Sequence, residues 1–182
     1  MLRKQLFYTF VALFLLVFLS HCKANQEPSK DDYWLSFHNA AHSETGYKKP
    51  NGEIAIPAGK YPFCFTDTFR NFAIVAHPEQ GLVAIDKQEQ ILYQVFPFDN
   101  GPDEPSEGLF RIEMNHKIGF ADAKSGKIII NPQYDGAYPF RQGVAKVNIG
   151  CQTATDGEHS TWVGGNWFHI DKTGKETEQP TH

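Results

Sequence analysis

Beyond its first two dozen residues this chain of 182 has no long hydrophobic run, so nothing later in it reads as a membrane-spanning helix. It has three cysteines, too few for a disulfide-dense scaffold. It also lacks a basic excess. Removing residues 1–24 takes away Arg3, Lys4 and Lys23 and no acid, leaving 14 basic and 21 acidic side chains and a net charge of −7. That balance argues against a nucleic-acid partner, whose phosphate backbone needs a cationic footprint. No serine-hydrolase elbow, phosphate-cradling glycine loop or dinucleotide fingerprint occurs, and no catalytic, cofactor or metal set is expected.

The one long apolar run is Leu6–Leu19, 14 residues interrupted by Tyr8 and Thr9 and preceded by Arg3 and Lys4. It is too short to cross a bilayer comfortably and fits the core of a secretory signal over 1–24. Two processing routes fit. One is cleavage after Ala24. The other is a lipoprotein route, since Leu19-Ser20-His21-Cys22 follows a lipobox except at His21 and would lipidate Cys22. Either places the rest in the periplasm, on the outer membrane or outside the cell, touching membrane only through the signal or lipid. In such a compartment Cys64 and Cys151 are expected to form a disulfide.

Residues 25–32 are polar and read as a tether. Ser29 is placed to cap a short helix, with Asp32 three residues on. Tyr33, Phe37 and Ala40 or Ala41 recur at helical spacing, so the tether and one N-terminal helix over roughly 31–43 are expected before residue 46. His38 and His42 would then stand one turn apart, the spacing of helical zinc ligands. No third ligand accompanies them, and a solvated face is the reading.

From Gly46 short apolar runs alternate with turn residues, the signature of strands and hairpins. The runs recur. Glu53-Ile54-Ala55-Ile56, Gln90-Ile91-Leu92-Tyr93 and Lys127-Ile128-Ile129-Ile130 start 37 residues apart (90 − 53 and 127 − 90). Runs beginning at Asn71, Gly108 and Gly143 keep step at 37 and 35. Between the frames lie Tyr61-Pro62-Phe63, Phe96-Pro97-Phe98 and Tyr138-Pro139-Phe140. Such a period means stacked units that cannot bury their apolar faces singly. The expectation is an all-β fold of tandem hairpin-like repeats of about 37 residues in a curved antiparallel sheet over 46–175. Residues 176–182 are expected to fray.

A fourth, partial unit carries Trp167, Ile170, Asp171, Gly174 and Lys175. The third carries Gly119, Phe120, Asp122, Gly126 and Lys127, followed by Ile130, Pro132, Tyr134, Asp135, Ala137, Phe140, Gly143, Ala145 and Val147. These residues resemble the WG-repeat family of bacterial proteins, named for a Trp-Gly pair followed by Ile-Asp and a Gly-Lys turn. Phe168 stands for the glycine in the fourth unit and Ile118 for the tryptophan in the third, so no unit keeps the pair intact. The resemblance implies an all-β repeat domain, often exported, with no catalytic set.

Stacked repeats collect insertions on one face, often the binding face. The outsized connections here are Asp99–Glu107 and Asn148–Gly165. A binding surface is therefore expected at Asp99, Asp103, Glu104, Glu107, Asp156 and Glu158, with Trp162 as aromatic anchor. An acidic rim around an aromatic suits a basic protein or peptide. Two contrasting readings stand beside this one: an exported hydrolase or metal-dependent enzyme with its site in 148–165, and a purely structural envelope protein.

Overall fold

The computed structural model describes residues 32–157 and 159–178. The signal sequence expected at 1–24, Cys22 and Glu158 lie outside them. Among the described residues all regular structure is strand, and the same run of three antiparallel strands occurs four times. The first comprises β1 (Trp34–Asn39), β2 (Glu44–Lys48) and β3 (Ile54–Ile56). Two short strands, β4 (Phe63–Cys64) and β5 (Thr68–Phe69), lead to the second: β6 (Ala73–His77), β7 (Gly81–Ile85) and β8 (Ile91–Val95). A small hairpin, β9 (Pro97–Phe98) and β10 (Gly101–Pro102), precedes the third: β11 (Leu109–Met114), β12 (Lys117–Asp122) and β13 (Ile128–Tyr134). After β14 (Gly136–Ala137) comes the fourth: β15 (Val144–Asp156), β16 (His159–Asp171) and β17 (Glu176–Thr177). The sheet orders are β3-β2-β1-β5, β10-β9, β13-β12-β11-β8-β7-β6-β4 and β14-β15-β16-β17, and none of these sheets closes on itself.

A turn built on one side chain ends each second strand of the last three runs. Asp86 N donates to Gln90 O at 3.1 Å, Asp122 N to Lys127 O at 2.9 Å, and Asp171 N to Lys175 O at 2.8 Å. In each, the aspartate Oδ1 accepts backbone N–H groups inside the turn: from Gln88 and Gln90, from Lys124 and Ser125, and from Thr173 and Lys175. A short carboxylate satisfying its own turn is the reason aspartate suits this place. In the first run Lys49 N reaches Glu53 O at 2.8 Å, and Asn51 Oδ1 takes the Glu53 N–H. From 49 to 86, 122 and 171 the steps are 37, 36 and 49 residues, so what recurs is the three-stranded element rather than a fixed 37-residue period.

The core forms three clusters among the described residues, each joining neighbouring runs. One holds Tyr47, Ile56 and Phe69 with Val75, Val83 and Ile85. The next holds Ala84, Tyr93 and Val95 with Phe110, Ile112 and Ala121. The last holds Leu109, Ile118, Phe120 and Ile130 with Ala145, Val147 and Ile170. Strand alternation explains the sharing: Val83 and Ile85 point one way and Ala84 the other, and Leu109 opposes Phe110. The middle strands are thus buried on both faces, and read as continuous apolar runs for that reason.

Two expectations need correction. Residues 34–48 form the β1–β2 hairpin instead of a helix, paired from Leu35–Lys48 to Asn39–Glu44. A lone helix of that length is marginal in water. The strand gains more: Trp34 meets the Phe69 ring at 5.1 Å and Tyr47 is fully buried. Asn39 Oδ1 accepts from Ala41 N, which turns the chain where the two alanines suggested helix. His38 and His42 therefore share no helical face. The compact unit begins at Asp32, the last residue of the expected tether, and 25–31 lie outside the described residues. At the other end Glu176 and Thr177 pair with Ile170 and His169, so the expected fraying does not start there.

Candidate functional site

The fourth run departs from the others in length. β15 and β16 stay paired from Val144–Asp171 out to Asp156–His159, making a long ribbon. Halfway along, Gly150 and Gly165 face each other with φ of 85° and 69°, next to Gly164 at 73°. The buried Asn148 side chain fastens this point. Its Nδ2 donates to Gly164 O at 3.1 Å, and its Oδ1 accepts from Cys151 N at 2.9 Å. Asp135 Oδ2 accepts from Gly150 N at 2.8 Å while its Oδ1 holds Lys117 Nζ at 2.5 Å. The Lys117 bond, then the Gly150 bond, hold the Asp135 carboxyl below the usual carboxylate range.

Trp162 and Trp167 lie five residues apart on β16. A regular strand sends such residues to opposite faces. The left-handed glycines between them undo that, and the two rings meet at 6.0 Å. Tyr138, from the third aromatic-Pro-Phe element, packs 5.4 Å from each ring. Phe96, from the second, lies 6.1 Å from Trp162. Lys146 stands over Trp167 at 5.3 Å, and Arg111 lies between Phe96 at 4.2 Å and Phe98 at 5.6 Å. The result is an aromatic shelf that is half open: Tyr138 is 49% and Phe98 59% exposed.

Trp162 is the expected site residue that lies in this shelf, half-buried. Asp99 is exposed at the tip of the β9–β10 hairpin, and Glu104 is exposed just after it. Asp156 is exposed at the end of the long ribbon. Asp103 is not on the surface: it is 3% exposed and paired with the equally buried Arg111. Arg111 N donates to Asp103 Oδ2 at 2.8 Å, and Arg111 Nη1 reaches Ala137 O at 3.0 Å. A buried carboxylate paired with a guanidinium that itself packs against two aromatic rings is a structural tie, which its place in a polar loop concealed. Glu107 pairs with Lys172 at 3.1 Å and takes the Gly143 N–H at 3.0 Å. Lys172 above all draws its carboxyl below the ordinary value.

The Cys64–Cys151 bridge is not made: both cysteines are free. Cys64 sits in the first core cluster, its N–H bonded to Thr45 Oγ1, whereas Cys151 lies at the glycine kink of the last run. Burial pushes both thiols up. Among the described residues no group of three His, Cys, Asp or Glu side chains is placed to hold a metal ion. Tyr138, Phe98 and Lys146 are not singled out by the sequence as site residues, whereas Trp167 is marked as the tryptophan of the fourth unit. The recurring aromatic-Pro-Phe element was the available signal for Tyr138 and Phe98. Nothing marked the kink that turns Trp167 toward Trp162.

The sheets and the shelf define a class first: an open, all-β repeat protein with an aromatic face at one end. Residues 118–150, spanning β12, β13, β14 and the start of β15, match the family model for the WG containing repeat. No curated protein and no solved structure matches the chain.

Proposed function

We propose that this protein is an exported, non-catalytic binding module of the bacterial cell envelope. It is tethered or released through residues 1–24, and it engages a protein or peptide partner with the shelf around Trp162. The half-open contact of Tyr138, Trp162 and Trp167 is the observation that carries this reading. Large rings with one face packed and one face open are the usual anchors of recognition surfaces. Asp99, Glu104 and Asp156 are exposed on the neighbouring connections. They favour a partner with cationic side chains. The WG-containing repeat supports a repeat scaffold in this role.

The test is photo-crosslinking in intact cells, with a benzophenone side chain replacing Tyr138 and the N-terminus of the recovered protein sequenced. Wild type should yield one dominant adduct in the envelope fraction, and Trp162→Ala should lose it while remaining folded. Identical adducts from both would refute the site. Cytosolic protein starting at Met1 would refute export, and substrate turnover in a broad hydrolase screen would refute the non-catalytic reading.

A further inference from the structure

The polarity of the aromatic shelf narrows the kind of peptide it can take. Tyr138 brings a phenol hydroxyl, Trp162 and Trp167 an indole N–H each, and Lys146 an ammonium over the Trp167 ring. Elsewhere tyrosine hydroxyls are spent inside the chain. Tyr47 donates to Thr66 O at 2.8 Å, Tyr61 to Glu89 Oε2 at 2.8 Å and Tyr93 to Gly126 O at 2.7 Å. Among the described residues the Tyr138 hydroxyl and the two indole N–H groups donate to no other group of the chain, and Lys146 makes no ion pair. Neither indole N–H is buried, and Tyr138 is half exposed. The carboxylates nearby in sequence are engaged: Asp135 by Lys117 and the Gly150 N–H, Asp103 by Arg111. The shelf therefore offers flat apolar rings and hydrogen-bond donors, and few acceptors.

A ligand for such a surface must present acceptors on an apolar body and bring few donors, since a donor left unpaired on binding loses its hydration for nothing. Sugar hydroxyls and the N–H groups of an ordinary extended peptide fail that condition. A proline-rich segment meets it. Proline has no N–H, its ring is apolar, and in the polyproline II helix the carbonyls stay free. That helix is preformed, so binding it costs little ordering entropy, and aromatic-lined grooves are its usual receptors. Charge adds a flank. Asp99 stands exposed next to Phe98 at one end of the shelf, where a basic residue is favoured. We infer that the shelf binds a proline-rich, polyproline II segment of its protein partner. The prolines lie against the rings of Tyr138 and Trp162, their carbonyls accept from the Tyr138 hydroxyl and the indole N–H groups, and a basic residue beside them lies toward Asp99. This inference rests on the reading of the shelf as a peptide-binding surface.

The probe is an octaproline peptide with one terminal lysine, titrated into the full, ¹⁵N-labelled chain. A Gly-Ser peptide of equal length with the same lysine supplies charge without prolines, and octaproline with a terminal glutamate reverses the charge. Binding is read at the indole N–H cross-peaks, where Trp34, in the first run, serves as the internal control. The lysine-bearing octaproline should give saturating shifts at Trp162 and Trp167 and none at Trp34, with Kd of about 0.1–1 mM. The Gly-Ser peptide should bind at least about tenfold more weakly, and the glutamate peptide about threefold. Tyr138→Phe keeps the ring and removes one donor, and should weaken octaproline about fivefold. No saturable shift overturns the inference, as does equal binding of either comparator or full affinity in Tyr138→Phe. A Trp162-dependent adduct in cells without octaproline binding overturns this inference and leaves the peptide-binding role standing. Octaproline binding without such an adduct supports the chemistry and overturns the role in cells.

Discussion

At the scale of single residues, two positions show what the repeat pattern encodes. A Cβ on Gly119 would lie 2.5 Å from Ile130 O and 2.6 Å from Pro132 N, and one on Gly46 would lie 2.6 Å from Ile56 O. In both runs the third strand crosses directly over the glycine, and the obstructing atoms are backbone, which cannot step aside. The register shifts beside Ile118 and Tyr47 mark the same crossing. Val83 and Phe168 stand in the corresponding places of the other two runs. Gly119→Ala should cost about 2–4 kcal/mol in urea unfolding. Gly143→Ala, at φ 81° in open space, should cost only about 1 kcal/mol. The buried Asp103–Arg111 pair makes the second prediction. Asp103→Ala leaves a guanidinium at 3% exposure without its carboxylate and should cost about 3–5 kcal/mol. Glu53→Ala, which breaks the exposed pair with Lys49, should leave the urea midpoint nearly unchanged.

At the scale of elements, the long ribbon is separable from the strands beneath it. Deleting 151–164 joins Gly150 to Gly165, two residues already at positive φ, as a two-residue turn flanked by the Ile149–Asn166 pair. Turns of that size with both φ positive are the ones that match strand twist. The shortened chain should fold, keep slow hydrogen exchange at the amides of 144–149, and lose the adduct at Tyr138. Fast exchange there would show that the ribbon is part of the core. The same elements show what was legible from sequence. Alternating runs and turn residues announced the strands from Gly46 on, because burial on alternate sides imposes a period of two. Helical spacing at Tyr33, Phe37 and Ala41 misled, since pairing with β5 and β2 outweighs a weak local preference. The acidic surface was half legible. Exposed Asp99, Glu104 and Asp156 follow from loop composition. The burial of Asp103 depends on Arg111, eight residues on and across the chain's fold, which no local pattern reveals.

At the scale of the whole molecule, the aspartate turns and carboxylate ties set the response to pH. The Asp122 and Asp171 carboxyls are held below the ordinary 3.8 by Ser125 and Thr173, Asp135 by Lys117, and Glu107 below 4.5 by Lys172. Their folded values are depressed, so near pH 4 the unfolded chain binds more protons, and stability is lost as pH falls through that range. All are largely solvated, so each contribution is small and screened by salt. Urea midpoints should be alike at about pH 5 and 7 and lower at about pH 3, the gap narrowing in high salt. The alkaline limit has another source. Burial raises the Tyr47 and Tyr93 hydroxyls above their ordinary 10.0, and Tyr93 donates to Gly126 O at 2.7 Å. Ionisation of these groups in the unfolded chain erodes stability above about pH 10. The seven-stranded sheet carries a consequence for the protein in concentrated solution. Its outermost strands are β13, with Pro132 inside it, and β4, only two residues long. One edge lacks a hydrogen-bond donor midway and the other offers almost no length, so neither side of the sheet templates the addition of a neighbour's strand. Crowding such molecules together gives fibre growth no starting surface on this sheet.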